Sequence, residues 1–291
     1  MTAADEHPSE STERTRLTAA LAAATKELAA AGIESPRVDA ELLAAHVLGV
    51  GRGRLALIDA IRAVELRRFE QLVRERAARV PVQHLLGTAA FRHLELAVGD
   101  GVFVPRPETE LLAGWGIEHT APGATVVDLC SGTGAIALSV ADEASPSRVI
   151  AVERSPAALE FLRRNAAAFP VVEVVQGDVT DPGLLATCRS GVDVVLCNPP
   201  YVPDGTPVPP EVAEHDPAEA VFGGTDGLAV IRPVIALAAA LLRPGGVLGV
   251  EHDDVHATAV PDLLRADGRF IDVTEQHDLA GRPRYATARR G

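Results

Sequence analysis

The hydrophobic pattern divides the chain into a helical stretch, a short alternating stretch, and a long run where strand and helix patterns take turns. Leu17, Leu21, Ala24, Leu28 and Ala31 recur at helical spacing, and Gly32 is placed to cap that helix. Ser35 offers an N-cap and Pro36 the first position of a second helix, which runs to about Leu48 and closes at Gly49. A third helix is expected from Val64 to about Ala78, with Arg and Glu on its outer face, stopping before Pro81. Residues 1–14 are polar and charged and predict a disordered tail, so residues 15–81 predict a small all-helical domain.

Residues 82–105 change period. Phe91, Leu94, Leu96 and Val98 sit near period two, Gly99-Asp100-Gly101 reads as a turn, and Val102-Phe103-Val104 follows, which predicts a β-hairpin linker. From Pro105-Arg106-Pro107-Glu108-Thr109-Glu110 the chain enters a helix whose first-turn acids suit its dipole. Beyond Ala124, strands are expected at 124–129, 148–153, 171–175, 192–197 and 246–251, with more near 269–274 and 284–288. Helices are expected at 134–142, 156–168, 227–242 and 256–266. This alternation predicts an α/β domain over 106–291, a doubly wound parallel sheet covered on both faces. The intervening stretch 202–226, rich in Pro, Glu and Gly, is long enough to serve as a lid or substrate wall.

Composition narrows the setting. With 291 residues and 47% hydrophobic content, the chain can build a core without staples. Cys130, Cys188 and Cys197 are odd in number and lack metal-ligand spacing, which fits a reducing cytoplasmic setting with no metal. The N-terminus has no secretory pattern, and no apolar run reaches membrane-spanning length. The formal charge of −13 argues against broad binding to a phosphate backbone and is compatible with a basic protein partner. Lys26 is the only lysine, a bias read as genome composition.

Two constellations carry chemistry. Asp128 ends the first expected strand, and Cys130-Ser131-Gly132-Thr133-Gly134 makes the turn into a helix, where glycines let backbone N–H groups approach a ligand closely. Glu153 ends the next strand, 19 residues after Gly134, where a doubly wound fold places an acid to accept ribose hydroxyls. Gly177-Asp178 follows the third strand, within reach of an adenine amine. The order points to a nucleoside-type cofactor. The other constellation is Asn198-Pro199-Pro200-Tyr201, at the end of the strand 192–197. The Asn198 side-chain oxygen and the Pro199 carbonyl are acceptors at fixed spacing, suited to the two hydrogens of an –NH2 group, and Tyr201 is placed to stack on a flat substrate. Glu251-His252-Asp253-Asp254-Val255-His256 reads as capping and solvation, and Arg282, Arg284, Arg289 and Arg290 as a solvated terminal strand.

In this order the chain resembles the class I S-adenosylmethionine-dependent methyltransferases, with their Rossmann-like sheet. It is more closely similar to the peptide chain release factor glutamine N(5)-methyltransferases. That resemblance is carried by Ala31 to Leu43, Pro81-Val82-Gln83-His84-Leu85-Leu86-Gly87, Phe103 to Glu110 and Asn198 to Tyr201, and covers nearly all of the chain beyond the first fifteen or so residues. It implies methyl transfer from S-adenosylmethionine, leaving S-adenosylhomocysteine, to the glutamine amide in the Gly-Gly-Gln loop of class 1 release factors. It also implies that the helical domain helps dock that factor. By motif match, Cys130 to Gly134 and Glu153 would contact the cofactor, with Asp178 or Val179 near its adenine and Asn198 beside its methionine part. Cys130 stands where the family usually has glycine, and Glu153 where aspartate is also common. A monomer without a nucleic-acid substrate is expected. The alternatives are an adenine or guanine amino methyltransferase, a silent nucleotide-binding module, and an oxidoreductase.

Overall fold

The structure, a computed structural model, describes residues 14–291. Of the expected tail only Arg14 lies within them, and it belongs to a strand. The chain divides into two compact units, with the break between Leu86 and Gly87.

In the first unit β1 (Arg14–Arg16) pairs antiparallel with β2 (Ala60–Arg62), a contact between distant segments that sequence periodicity does not report. Helices α1 (Leu17–Ala30), α2 (Pro36–Leu48), α3 (Ala63–Ala77) and α4 (Val82–Leu86) surround a core that includes Leu17, Leu28, Leu43, Phe69 and Leu72. Gly49 closes α2 at φ 64°, a left-handed conformation that glycine adopts without steric cost. Ser35 occupies the N-cap position but makes no side-chain cap bond; Pro36 behind it has no N–H to satisfy. The unit also buries an ion pair: Arg76 Nε donates to Asp39 Oδ2 at 2.7 Å, with both side chains at most one-tenth exposed.

The second unit opens with the hairpin β3 (Thr88–Phe91) and β4 (Leu94–Ala97). Its turn is Arg92-His93, not the expected Gly99-Asp100-Gly101. The physical reason is anchoring. Arg92 takes φ 50°, its N–H donates to Glu110 Oε1 at 3.0 Å, and its guanidinium grips both Glu143 oxygens at 2.6 Å. Gly99 to Gly101 turns the chain into 102–104, which forms no strand but buries Val102 and Val104. The expected linker 82–105 thus holds a helix on one side of the unit boundary and a hairpin on the other.

Then follow α5 (Thr109–His119), β5 (Thr125–Leu129), α6 (Ala135–Glu143), β6 (Arg148–Glu153), α7 (Pro156–Ala166), β7 (Val172–Gln176) and β8 (Val192–Cys197). After β8 come α8 (Pro210–His215), α9 (Ala218–Val221), α10 (Ile231–Leu241), β9 (Leu242–Glu251), α11 (Ala259–Asp267), β10 (Phe270–His277) and β11 (Pro283–Arg290). The strands form one sheet in the order β10-β11-β9-β8-β5-β6-β7, parallel except for β11, which runs antiparallel to both neighbours. β11 therefore lies inside the sheet and is not a solvated edge: Arg284 pairs with Asp278, Arg289 with Asp272, and Arg290 donates to the Ala239 carbonyl. The order reverses at β5, so a crevice forms beyond the carboxyl ends of β5, β6 and β8. Val126, Val127, Val194 and Val195 are fully buried, as central parallel strands require.

The buried ion pair generates a test of the helical unit. Asp39→Ala removes the buried carboxylate that accepts from Arg76 Nε and is expected to lower stability by about 3 kcal/mol in urea unfolding. The double variant Asp39→Leu with Arg76→Met, which removes both charges, is expected to recover most of that loss.

Candidate active site

The crevice beyond β5, β6 and β8 is a cleft of about 140 Å³, lined among others by Asp128, Cys130 to Thr133, Glu153, Asp178, Val179, Asn198 and Pro200. Sequence reasoning placed these residues together, and the strand ends bring them there. Gly134 begins α6 at φ 88°, and a Cβ on it would stand 2.6 Å from Leu162 Cδ1, so this position is close-packed as well as left-handed. Gly132 faces open space.

Cys130 takes φ 60°. A side chain in the left-handed region costs roughly 1–2 kcal/mol, which accounts for glycine being the easier residue here. The turn is held by the Ser131 N–H on the Val152 carbonyl at 2.9 Å and by the Ser131 hydroxyl on the Asp128 carbonyl at 3.0 Å. Glu153 holds it from the other strand. Its Oε2 accepts from Gly132 N at 2.8 Å, and its Oε1 from Arg154 N at 2.8 Å and Ser155 N at 2.7 Å. Two lone pairs per oxygen leave one acceptor direction, on Oε2. Asp178 is likewise engaged: Thr180 N–H and hydroxyl bind its Oδ1, the backbone bond foremost in holding the carboxyl below its usual range. Arg154 bridges Asp178 at 3.4 Å and Glu219 at 3.2 Å.

Asp128 differs from these. It is 1% exposed, Oδ2 accepts from Ala137 N at 3.2 Å, and Oδ1 has no hydrogen-bond partner. Burial pushes its carboxyl up to about 7, against the pull of Ser131 and of the Ala137 N–H. An orphaned acceptor at a cleft calls for a donor or a cation. With the bare Gly132 beside it, the site fits a nucleoside cofactor that carries an ammonium group.

At the other end Asn198 lines the cleft, and its Nδ2 donates to Thr109 Oγ1 at 3.0 Å, which leaves Oδ1 available. Pro200 lines the cleft, whereas Pro199 is buried and Tyr201 turns away. Tyr201 is not the stacking wall expected from its place in the motif: its ring packs against the main core and its hydroxyl donates to Glu251 Oε1 at 3.1 Å. Burial raises the tyrosine hydroxyl far above its usual pKa. Glu251 is itself 1% exposed and pushed up to about 7 by burial, against the Thr109 and Tyr201 hydroxyls and Arg284. His252 and His256 are also buried, so the expected solvation of this stretch is replaced by partners: His252 Nε2 meets Glu275 Oε2 at 3.1 Å and His256 Nε2 the Asp226 carbonyl at 2.9 Å. Asp253 keeps the capping role, accepting from Val255 N.

Thr109, Glu251, Gly223 and Gly227 were missed by sequence reasoning. A Cβ on Gly223 would stand 2.6 Å from the Pro200 carbonyl oxygen, and one on Gly227 2.3 Å from that of Tyr201. The stretch 202–226 thus presses directly on the Asn198–Tyr201 turn. It carries α8 and α9, and Pro217, Glu219 and Ala220 wall the cleft. Asp216, buried, is bound by the Arg106 guanidinium and by Val104 N at 3.4 Å, and Arg106 lies over the Phe103 ring at 4.7 Å. The paired glycines in Gly223-Gly224 and Gly227 were a legible signal of close backbone approach.

Comparisons with known proteins agree with this geometry. A family model described as "PrmC N-terminal domain" matches residues 19–87, and one described as "Methyltransferase small domain" matches 109–214. The chain is 57% identical over 277 residues to a release factor glutamine methyltransferase of Mycolicibacterium smegmatis, across 95% of this chain and 98% of that one. It is 41% identical over 269 residues to a 4-amino-L-phenylalanine/4-methylamino-L-phenylalanine methyltransferase of Streptomyces pristinaespiralis, across 87% and 89%. A 16S rRNA N2 G1207 methyltransferase of T. thermophilus, solved with AdoMet and guanosine, matches at TM-score 0.50 and 22% identity, over 70% of this chain and 50% of that one, which shows a shared fold.

Two measurements follow from the cleft. Cys130→Gly is expected to fold with no loss of stability, whereas Cys130→Val, β-branched at positive φ, is expected to lower it by about 2 kcal/mol in urea unfolding. The second concerns pH. Unfolded Asp128 loses its proton near pH 4, whereas the folded residue keeps it to about pH 7. Its contribution is therefore fully present at low pH, falls as pH rises from about 4 to about 7, and is flat above. The melting temperature of Asp128→Asn is expected to gain on wild type from pH 5 to about pH 7 and to hold that gain above it.

Proposed function

The chain belongs to the release factor glutamine methyltransferase family, and on that footing we propose that it methylates the side-chain amide nitrogen of the Gly-Gly-Gln glutamine in a class 1 peptide chain release factor. S-adenosylmethionine is the methyl donor and S-adenosylhomocysteine the by-product. The observation that carries the reading is Asn198, in the same cleft as the Cys130–Gly134 turn and Glu153, with its amide nitrogen already engaged and its oxygen available.

In this reading Asp128 would hold the ammonium of the cofactor's methionine part and Glu153 a ribose hydroxyl, with Asp178 or Val179 on the adenine side. The cofactor supplies an electrophilic methyl group on a sulfonium. The rest is positioning. An amide nitrogen is a weak nucleophile because its lone pair is delocalised into the carbonyl, so orientation must supply much of the acceleration. Asn198 Oδ1 and the Pro199 carbonyl accept the two hydrogens of the –NH2 group, aim its lone pair, and bind it more strongly as positive charge builds on nitrogen. The proton leaves late, to water.

The helical unit helps dock the factor, and the setting is cytoplasmic, where release factors act. Among the described residues no helix is long and apolar enough to cross a membrane. The net charge of −13 disfavours the rival reading, an amino methyltransferase acting on nucleic acid.

Labelled S-adenosylmethionine tests the reading when the protein is offered a release factor, its loop Gln→Ala variant, ribosomal RNA and 4-aminophenylalanine. Label is expected on the wild-type factor alone, and Asn198→Ala is expected to lower kcat about 100-fold with cofactor affinity little changed. Label on the Gln→Ala factor, or full activity in Asn198→Ala, would overturn it.

A further inference from the structure

Two stretches of the cleft lining come from parts of the chain that no strand pairing joins. The turn after β5 supplies Cys130 to Thr133, and the segment 97–106 supplies Gly101, Phe103, Pro105 and Arg106. That segment leaves the hairpin β3–β4, which forms a sheet of its own. The element that touches both is α7. A Cβ on Gly101 would stand 3.0 Å from Ala157 Cβ, and one on Gly99 3.0 Å from Phe161 Cζ, while Ala158 packs with Val98, Val102 and Val104. On the other side Leu162 is the residue that crowds Gly134.

Apolar contact sets how closely these parts approach, and hydrogen bonds set their register. Asn165, in the last turn of α7, supplies them. Val98 N–H donates to the Gly87 carbonyl at 3.1 Å on the β3 side, so Ala97, one residue earlier, turns its own N–H and C=O away from β3. Asn165 meets both. Its Oδ1 accepts from Ala97 N at 2.8 Å, and its Nδ2 donates to the Ala97 carbonyl at 3.1 Å. Nδ2 also donates to the Thr133 carbonyl at 3.0 Å, inside the cofactor turn. Backbone groups have fixed polarity, so these three partners admit one orientation of the amide and use both of its N–H bonds. Ala97 and Thr133 are buried, which makes their polar groups costly to leave unpaired.

We propose that Asn165 is a positioning residue for the cofactor: its carboxamide ties the Cys130–Gly134 turn to the end of β4 and so sets the width of the cleft that receives S-adenosylmethionine. This rests on the reading of that cleft as the cofactor site. Asn165 does not line the cleft and acts through Thr133 and Ala97. Linkage makes the effect reciprocal: bound cofactor favours the closed clamp by the same factor that the clamp lends to cofactor affinity.

The test compares three variants. Asn165→Ala removes all three bonds. Asn165→Asp keeps the shape and the acceptor for Ala97 N–H but sets a carboxylate oxygen against two carbonyls. Leu264→Ala opens a cavity in α11, beside β10 and β11, and controls for lost stability alone. Three quantities are read: the Kd of S-adenosylmethionine and S-adenosylhomocysteine by calorimetry, kcat and KM with a release factor at saturating cofactor, and exchange of the Ala97 amide proton in ¹⁵N-labelled wild type. Both Asn165 variants are expected to raise the two Kd values about tenfold and to leave kcat and the release factor KM within about threefold. Leu264→Ala is expected to lower the melting temperature at least as far and to leave both Kd values within about twofold. In the wild type, S-adenosylhomocysteine is expected to slow Ala97 exchange about tenfold. Cofactor affinity within about twofold of wild type in Asn165→Ala, an equal loss in Leu264→Ala, or Ala97 exchange unmoved by S-adenosylhomocysteine would overturn the proposal. The exchange measurement decides it even where the Asn165 variants do not fold. If the wild type binds cofactor but labels no release factor, the glutamine reading falls, and the affinities and the exchange still decide the clamp; if it binds neither cofactor form, the cofactor reading and the clamp fall together.

Discussion

The register of β8 against β5 is the constraint on which the site depends. Leu129 lies opposite Cys197, so the two strands run out of hydrogen-bonded length at the same level. The residues that leave the sheet there, Cys130 and Asn198, begin the cofactor turn and the amino-group motif. Both strands are buried on both faces, and each fully buried Val or Leu contributes roughly 1.5–3 kcal/mol. A slip of one residue would turn Asn198 to the opposite face and bury its amide among α10 side chains. Register and chemistry are thus held by the same apolar contacts, which are far larger in sum than any hydrogen bond in the cleft.

Much of this was legible because its cause is local. Strand–helix alternation is a change of period punctuated by glycine and proline, and a doubly wound sheet puts strand-end residues at one crevice; that is why Asp128, Glu153 and Asn198, each read at a strand end, line one cleft. The failures share the opposite cause. Tyr201 sits beside the reacting motif in sequence, but its direction is decided by Glu251, which is distant in the chain and only becomes a neighbour once β9 lies next to β8. Arg289 is exposed as expected, but Arg284 and Arg290 are partly buried, because nothing in their own segment reveals that the strand is inserted between β9 and β10. The hairpin turn falls at Arg92-His93, a pair without turn-forming residues, because Glu110 and Glu143 hold Arg92 from two later helices. The turn signalled by Gly99 and Gly101 forms as well, but tertiary anchoring of Arg92 closes the hairpin before it.

The stretch 202–226 shows how an irregular segment can be made definite. It has two short helices and little regular pairing, yet it is fixed at several points. Val202 N–H bonds the Val221 carbonyl at 3.0 Å and Gly223 N–H the Val202 carbonyl at 2.9 Å, while Asp216 is clamped from the segment that leads into α5. The Arg106–Asp216 pair is half sheltered, and burial works against the carboxylate while Arg106 works for it. Such a pair contributes little net stability and much geometry. Here it joins the segment that leads into α5 to the segment that walls the cleft, so the two are held together by one contact.

Three unfavourable features stand at the carboxyl ends of β5 and β9, the two strands that flank β8. Cys130 is held at positive φ, and Asp128 and Glu251 are carboxyls buried deeply enough to titrate near neutrality, each with an oxygen lacking a partner. Selection for stability alone would have placed glycine at 130 and apolar side chains at 128 and 251, since replacing buried charge with well-packed apolar groups is often stabilising. Their retention at the cleft, and the dense apolar packing that offsets them, argue that these groups are kept for chemistry. The same logic distinguishes the two carboxyls. Asp128 lines the cleft, with one oxygen buried and unpartnered, whereas Glu251 does not line it and has its Oε1 bound by the Tyr201 hydroxyl.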